Sequence, residues 1–223
     1  MVKAIILAGG RSSRLLGDTV KQFRRVNSDK MLITYSLESF IRCDKVDKIT
    51  VVIEDEAWEE LILVDISKRG LLLEKLQTPF WKARIYDRQS SVIEGIKAAY
   101  GWSSFSEKNI NVDDIVVIHD ASRPGITEEM ITDCIDALEE CDGAVLMNGT
   151  DEQTPAAFNA RKYYQANMSL VNKVNYDDIT ELSMPARNAD MTTKEIAGYE
   201  VSNISTEADW NAFEEKMKKL RVS

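Results

Sequence analysis

Short aliphatic runs punctuate the first half of the chain. Lys3–Leu7 is apolar almost throughout and runs at once into Gly9-Gly10. Ile49–Ile53 (ITVVI) and Ile115–Ile118 (IVVI) follow the same form. Runs that are apolar at consecutive positions suit strands covered on both faces, as in the middle of a parallel sheet. Ala144–Met147 (AVLM) and Arg84–Tyr86 are weaker strand signals.

Between these runs the period lengthens. Met31–Arg42 places Leu32, Tyr35, Leu37 and Phe40 at helical spacing, and Asp55–Arg69 is amphipathic and stops at Gly70, a natural helix C-cap. Gln89–Tyr100 carries Val92, Ile93, Ile96 and Ala99 on one stripe. Further helices are predicted from Thr127, with Glu128 and Glu129 in the first turn, and from Thr206, ending in the basic KMKKLR run; both charge placements complement the helix dipole. Strand–helix alternation at this spacing predicts one α/β domain over residues 1–223 with a mostly parallel central sheet. In such sheets ligands bind beyond the carboxyl ends of the strands. The loops to read are therefore those after Leu7, Tyr86, Ile118 and Met147.

Composition narrows the classes. The chain has 223 residues, 44% hydrophobic and 29% charged, the profile of an ordinary globular protein, with no repeat and no low-complexity segment. A net charge of −9 argues against nucleic acid as the main ligand, though not against a small anion in a locally basic pocket. No apolar stretch has the length of a membrane span or a signal-peptide core, which predicts a cytoplasmic protein. Cys43, Cys134 and Cys141 form no metal-ligand or disulfide spacing; Cys134 and Cys141 are read as structural thiols near one face of a helix. Trp58, Trp81, Trp102 and Trp210 lie outside the candidate loops and are read as packing residues.

The first loop reads Leu7-Ala8-Gly9-Gly10-Arg11-Ser12-Ser13-Arg14, followed by Lys21-Gln22-Phe23. Small residues let backbone N–H groups approach a phosphate chain, and Arg14 and Lys21 supply fixed positive charge for a transferring phosphoryl group. Neither GxxxxGK[ST] nor GxGxxG is present, so this is not a P-loop or a dinucleotide fingerprint. His119-Asp120-Ala121-Ser122-Arg123-Pro124 places a carboxylate at a strand end, suited to a divalent cation or a hydroxyl, while Arg123 can hold phosphate or pair with Asp120. His119 is read as a hydrogen-bonded structural imidazole. Asp87-Arg88-Gln89-Ser90-Ser91-Val92 opens a helix with a cation where the dipole disfavours one, which points to an anionic ligand nearby.

Together these segments resemble the cytidylyltransferases that act on methylerythritol phosphate and ribitol phosphate. LAGGRSSR with the later KQF resembles the family's CTP loop, and DRQSSV its second nucleotide segment. HDASRP and QTPAAF resemble its strand-end and acceptor segments; Asp178-Ile179-Thr180-Glu181 and SNISTEADW resemble its late stretches. The resemblance implies a Rossmann-like three-layer nucleotidyltransferase fold. It also implies a reaction in which a sugar-alcohol phosphate attacks the α-phosphorus of CTP with Mg²⁺ or another divalent cation and pyrophosphate leaves. In that reading Arg14 and Lys21 are catalytic. Leu7, Ala8, Gly9, Gly10, Arg88 and Ser91 hold the nucleotide. Asp120, with Ala121, binds the polyol hydroxyls or the metal, Arg123 orders its loop, and Thr154 and Thr180 contact the polyol phosphate. The family's homodimer, with neither nucleic acid nor membrane as partner, is implied as well.

Three departures stand out. The late NIK[VI]T segment reads Asn203-Ile204-Ser205-Thr206 and lacks its lysine; no glycine precedes Arg88; and the β-arm expected near residues 147–153 is shortened or missing. A nucleotidyltransferase using another NTP, or a nucleotide-binding homologue impaired in turnover, fits the same motifs.

Overall fold

The computed structural model describes residues 1–10, 20–83, 87–149, 151–169, 181 and 190–222. Its main sheet is built on β1 (Val2–Ala8), which pairs in parallel with β4 (Lys48–Ile53) on one side and β6 (Ile115–Asp120) on the other. β5 (Trp81–Lys82) continues the sheet beyond β4. Beyond β6 lie β8 (Asp151–Asn159), β7 (Gly143–Asn148) and β9 (Thr193–Ala197), giving the order β5-β4-β1-β6-β8-β7-β9. Only β8 runs against its neighbours. A separate two-stranded ribbon joins β2 (Arg25–Val26) to β3 (Lys30–Met31).

The consecutive apolar residues of β1 divide between two cores, as the two-residue period of a strand requires. Ala4, Ile6 and Ala8 face a core shared with α1 (Leu32–Arg42), α2 (Ala57–Ser67) and α4 (Glu128–Asp136). Ile5 and Leu7 face a second core with α3 (Arg88–Ala99) and α5 (Ala160–Met168). That is the three-layer, mostly parallel architecture read from the sequence. α6 (Glu207–Val222) docks separately, packing Trp210 and Phe213 against Val26, Leu32 and Ile204.

Contact between α3 and β1 depends on Gly95. A Cβ there would lie 2.5 Å from Ile5 Cγ2, an overlap that would cost about 1–3 kcal/mol to relieve in a packed core. The close approach fixes where α3 begins, and with it the position of Arg88 at the carboxyl end of the sheet.

Several expectations need correction. α2 ends at Ser67, and Gly70 closes a further turn by donating its N–H to the Ser67 carbonyl. Cys141 lies beyond α4, where its thiol meets the carbonyls of Ala137 and Gly143. Arg84–Tyr86 lies outside the described residues; the strand at that place is Trp81–Lys82. QTPAAF, for which no strand was predicted, is the body of β8. Its proline is tolerated because the β7–β8 ladder shifts register there, so no pairing N–H is demanded of Pro155. β7 and β8 pair as far as Asn148 and Asp151, and Gly149 takes a positive φ of 61° in the connection between them.

Candidate active site

A cleft of about 300 Å³ opens at the carboxyl ends of β1 and β6. Leu7, Gly9 and Gly10 contribute from the end of β1, and Lys21 and Gln22 from the short helical turn Lys21–Phe23. Asp87, Arg88 and Ser91 come from the start of α3, Asp120 and Ser122 from the end of β6. Three of the four loops singled out in the sequence therefore converge on one place.

The start of α3 is locally encoded. Asp87 caps the helix by accepting from the Ser90 N–H at 2.7 Å, and Ser91 Oγ donates to the Asp87 carbonyl. Capping by Asp87 holds Arg88 in the first turn, against the dipole. The sequence points to an anionic ligand here; the anions that Arg88 meets in this structure are the protein's own carboxylates. Arg88 Nε donates to Asp120 Oδ1 at 3.0 Å and Nη2 to Oδ2 at 3.3 Å, while Nη1 donates to Glu181 Oε1 at 2.6 Å. One guanidinium thus serves two carboxylates.

Electrostatics follows from that stoichiometry. Burial works against the charge of Arg88, but Asp120 and Glu181 more than restore it and lift its pKa well above the usual value. Burial pushes the Asp120 carboxyl upward, and Arg88 pulls it back below its ordinary value. Glu181 ends above its ordinary value because burial outweighs Arg88 and Asp120 and Glu152 repel it. Glu181 is further fixed by its backbone N–H, which donates to Glu152 at 2.8 Å.

The remaining predicted residues divide by location. Ala8 and Ala121 lie behind the cleft wall, where the Ala121 N–H donates to the Leu7 carbonyl. Thr154 is buried behind Asp120: its hydroxyl accepts from the Asp120 N–H at 3.1 Å and donates to Asp120 Oδ2 at 3.4 Å. As placed it supports Asp120 and does not line the cleft. Arg123 bonds Asp120 through the backbone, its N–H donating to the Asp120 carbonyl at 2.9 Å, while its guanidinium donates to the Val201 carbonyl at 2.7 Å and faces a neighbouring groove with Asn148, Asp151 and Asn203. Lys21 donates to the Ile204 carbonyl at 2.6 Å. Arg14 and Thr180 lie outside the described residues. His119 is fully buried and meets Ser36 Oγ at 3.0 Å, as a structural imidazole would.

Sequence reasoning missed Gln22, Asp87 and Glu181. Asp87 carried a capping signal and Gln22 stood beside Lys21. Glu181 stood in the Asp178-Ile179-Thr180-Glu181 segment, but its pairing with Arg88, far away in the chain, had no local signal. At the position where the resemblance calls for a lysine, Ser205 donates through both N–H and Oγ to Asp209 at the start of α6.

The cleft's acidic donors are oxygens of Asp87 and Asp120, a hard set that suits Mg²⁺ and not thiolate-loving metals. Among the described residues no three His, Cys, Asp or Glu side chains converge, so a cation here would be shared with a ligand's phosphates.

The sequence profile of the family described as IspD: 2-C-methyl-D-erythritol 4-phosphate cytidylyltransferase matches residues 2–154, which include every cleft-lining residue named above. The chain belongs to this family. Among IspD-family relatives, a ribitol-5-phosphate cytidylyltransferase of Lacticaseibacillus paracasei is 35% identical over 153 residues, covering 69% of this chain and 60% of that protein. A 2-C-methyl-D-erythritol 4-phosphate cytidylyltransferase of Clostridium beijerinckii is 30% identical over 131 residues, covering 59% and 50%. The matched segment thus spans 50% to 60% of the length of these two relatives. The solved structure of a 4-diphosphocytidyl-2C-methyl-D-erythritol synthase from Anaerococcus prevotii superposes with a TM-score of 0.73 at 17% identity, over 97% of this chain and 96% of that one. The likeness extends the shared fold past residue 154, through the part of the chain that the family profile leaves unmatched.

Proposed function

We propose that this protein transfers CMP from CTP to a small sugar-alcohol phosphate, ribitol 5-phosphate or a close analogue, releasing pyrophosphate. The observation that carries the reading is the convergence of Gly9-Gly10, Lys21, Arg88, Ser91 and Asp120 on one cleft within an IspD-family chain. Ribitol-type acceptors are placed ahead of methylerythritol phosphate because the 35% identical relative bears that name.

The acceptor's phosphate oxygen forms a bond to the α-phosphorus of CTP as the bond to the β-phosphate oxygen breaks. Such a transfer needs alignment and compensation of charge more than covalent help. Lys21, which borders the cleft, is assigned to the triphosphate, with Arg14 assigned the same work from the sequence. Gly9 and Gly10 let the backbone approach the phosphates. Asp120, steadied by Arg88 and Thr154, would hold polyol hydroxyls or one side of a divalent cation, whose contribution when bound is to neutralise phosphate charge. The reaction is assigned to the cytoplasm, where CTP is made, and a homodimer is taken over from the family resemblance.

A second reading is nucleotide binding without turnover, favoured by Ser205 occupying the lysine position and being committed to Asp209. Pyrophosphate release with Mg²⁺ separates the two. CTP, UTP, GTP and ATP are crossed with ribitol 5-phosphate, glycerol phosphate and methylerythritol phosphate, with Lys21→Ala and Arg14→Ala as controls. Turnover with CTP and one polyol phosphate, lost in both controls, is the expected result. CTP-dependent thermal stabilisation without turnover establishes the second reading, and neither response sinks the nucleotide assignment.

A further inference from the structure

Gln22 lies between two residues with evident occupations: Lys21 reaches the Ile204 carbonyl, and Phe23 stacks on Trp58 with ring centroids 4.4 Å apart. Gln22 itself is 3% exposed, an unusual burial for a polar side chain. Its Nε2 donates to the Ala8 carbonyl at 2.6 Å and to the Gly10 carbonyl at 2.9 Å. Both N–H groups of the amide are therefore spent on the backbone of the Gly turn that ends β1. Its Oε1 is buried and has no hydrogen-bond partner among the described residues. Buried polar atoms are normally paired, and an unpaired one calls for an explanation.

A peptide plane carries its carbonyl and the next N–H in opposite directions. Drawing the Ala8 carbonyl toward Gln22 therefore turns the Gly9 N–H away from Gln22. β1 ends at Ala8, so Gly9 and Gly10 lie beyond the strand, and glycine has little intrinsic preference to hold a turn in one form. The two bonds from Gln22 supply that preference. Gln22 is distinguished by place: its two bonds end on the Gly turn, and it borders the cleft.

We propose that Gln22 is a positioning residue for the nucleotide: it holds the Gly9-Gly10 turn in the form that accepts a phosphate chain and keeps an unpaired acceptor beside the cleft for a donor on the ligand. This rests on the nucleotidyltransferase reading. Gln22→Glu keeps the shape and removes both donated hydrogen bonds. Gln22→Met keeps the length without polarity and stands in if the charged variant fails to fold. In the ligand-free full chain, amide hydrogen exchange over residues 7–10 is expected to accelerate about tenfold in both variants. Calorimetry with Mg²⁺ and CTP is expected to show an affinity weaker by about tenfold or more. Exchange within twofold of the unmodified chain overturns the proposal. So does faster exchange with unchanged CTP affinity, which would make Gln22 a fold residue only. No nucleotide binding by the unmodified chain overturns the nucleotide reading instead, and the exchange result alone then decides whether Gln22 holds the turn.

Discussion

The molecule carries two arginine–carboxylate clusters of opposite stoichiometry. In the first, one carboxylate sits between two cations: Asp65, 1% exposed, accepts from Arg25 at 2.6 Å and lies 3.6 Å from Arg69. It also accepts from the Met31 N–H and the Thr34 hydroxyl. In the second, one cation sits between two carboxylates, Arg88 between Asp120 and Glu181. The Asp65 cluster joins α2 to the β2–β3 ribbon and α1, and Asp65 is not among the residues lining the active-site cleft. Its acid is over-supplied with partners, and although burial pushes its pKa up, the Thr34, Arg25 and Met31 bonds pull it below the usual value. The Arg88 cluster leaves one acid above its usual value and another partly exposed at the cleft. Saturation marks the first as a fastening. Surplus negative charge facing a cavity marks the second as a site, since a fold seeking only stability has no reason to keep it.

The comparison breaks most visibly if the two acids are exchanged in effect. Asp120→Asn is expected to lower turnover with CTP and polyol phosphate by about a hundredfold or more, with a thermal midpoint close to the unmodified chain. Asp65→Asn is expected to do the reverse: about 3 kcal/mol less stability in urea unfolding, because two cations lose a buried partner, and unchanged specific activity in the fraction that stays folded. An Asp120→Asn protein that is unstable but active, or an Asp65→Asn protein that is stable but inactive, would show that the assignment of roles is inverted.

A middle-sized effect concerns Glu181. Glu181→Gln keeps an acceptor for Arg88 and removes one of the two negative charges. Turnover is expected to fall by about tenfold or less, since Asp120 remains paired with Arg88. Stability against pH sharpens the contrast. Because Glu181 has a raised folded pKa, whatever stability it contributes is present at acid pH and is lost as pH rises through that value. Glu181→Gln should therefore gain on the unmodified chain as pH rises from about 4.5 toward neutrality. Asp65 has a lowered folded pKa, so its contribution is present above its unfolded value near 3.8 and is lost as pH falls through the folded one. The deficit of Asp65→Asn should therefore shrink only below pH 3.8. Parallel behaviour of the two variants with pH would remove the distinction between the clusters.

How much of this could be read from the chain depends on how local each signal is. The strands β1, β4 and β6 and the starts of α3, α4 and α6 were legible, because consecutive aliphatic residues and capping side chains act within a few positions. β8 was hidden by Pro155, which signals a break unless a bulge is known to absorb it. β9 and α5 have short, mixed patterns whose burial is decided by neighbours. At the site, Lys21, Arg88 and Asp120 were found through their loops. Their partners were not. Phosphate and Asp120 were both open to Arg123 from the sequence; the Asp120 carboxylate pairs with Arg88, and the Arg123 guanidinium holds the Val201 carbonyl. Loop adjacency in sequence did not single out Arg88; the packing of α3 on β1 at Gly95 brings it to Asp120.

The smallest effect expected is also the most local. His119 and Asp120 are consecutive on β6, so their side chains leave the strand on opposite faces. Asp120 turns to the cleft and Arg88. His119 turns to α1, against Ser36 and 5.4 Å from the Phe40 ring centroid, on the helix that also sends Thr34 to Asp65. Burial, helped by the charges of Arg123 and Arg88 and opposed by Asp120, depresses its pKa to about 3 from an ordinary 6.5. The neutral ring therefore contributes stability in full above pH 6.5 and loses it as pH falls toward 3, the unfolded chain taking up the proton first. His119 is the only histidine in the chain, so its imidazole proton resonances are unambiguous. They should hold one chemical shift from pH 8 to pH 5 while activity varies over the same range. A midpoint near 6.5 would mean that the ring reaches solvent and could exchange protons at the site, and the division of β6 between fastening and chemistry would fail at the residue where the two meet.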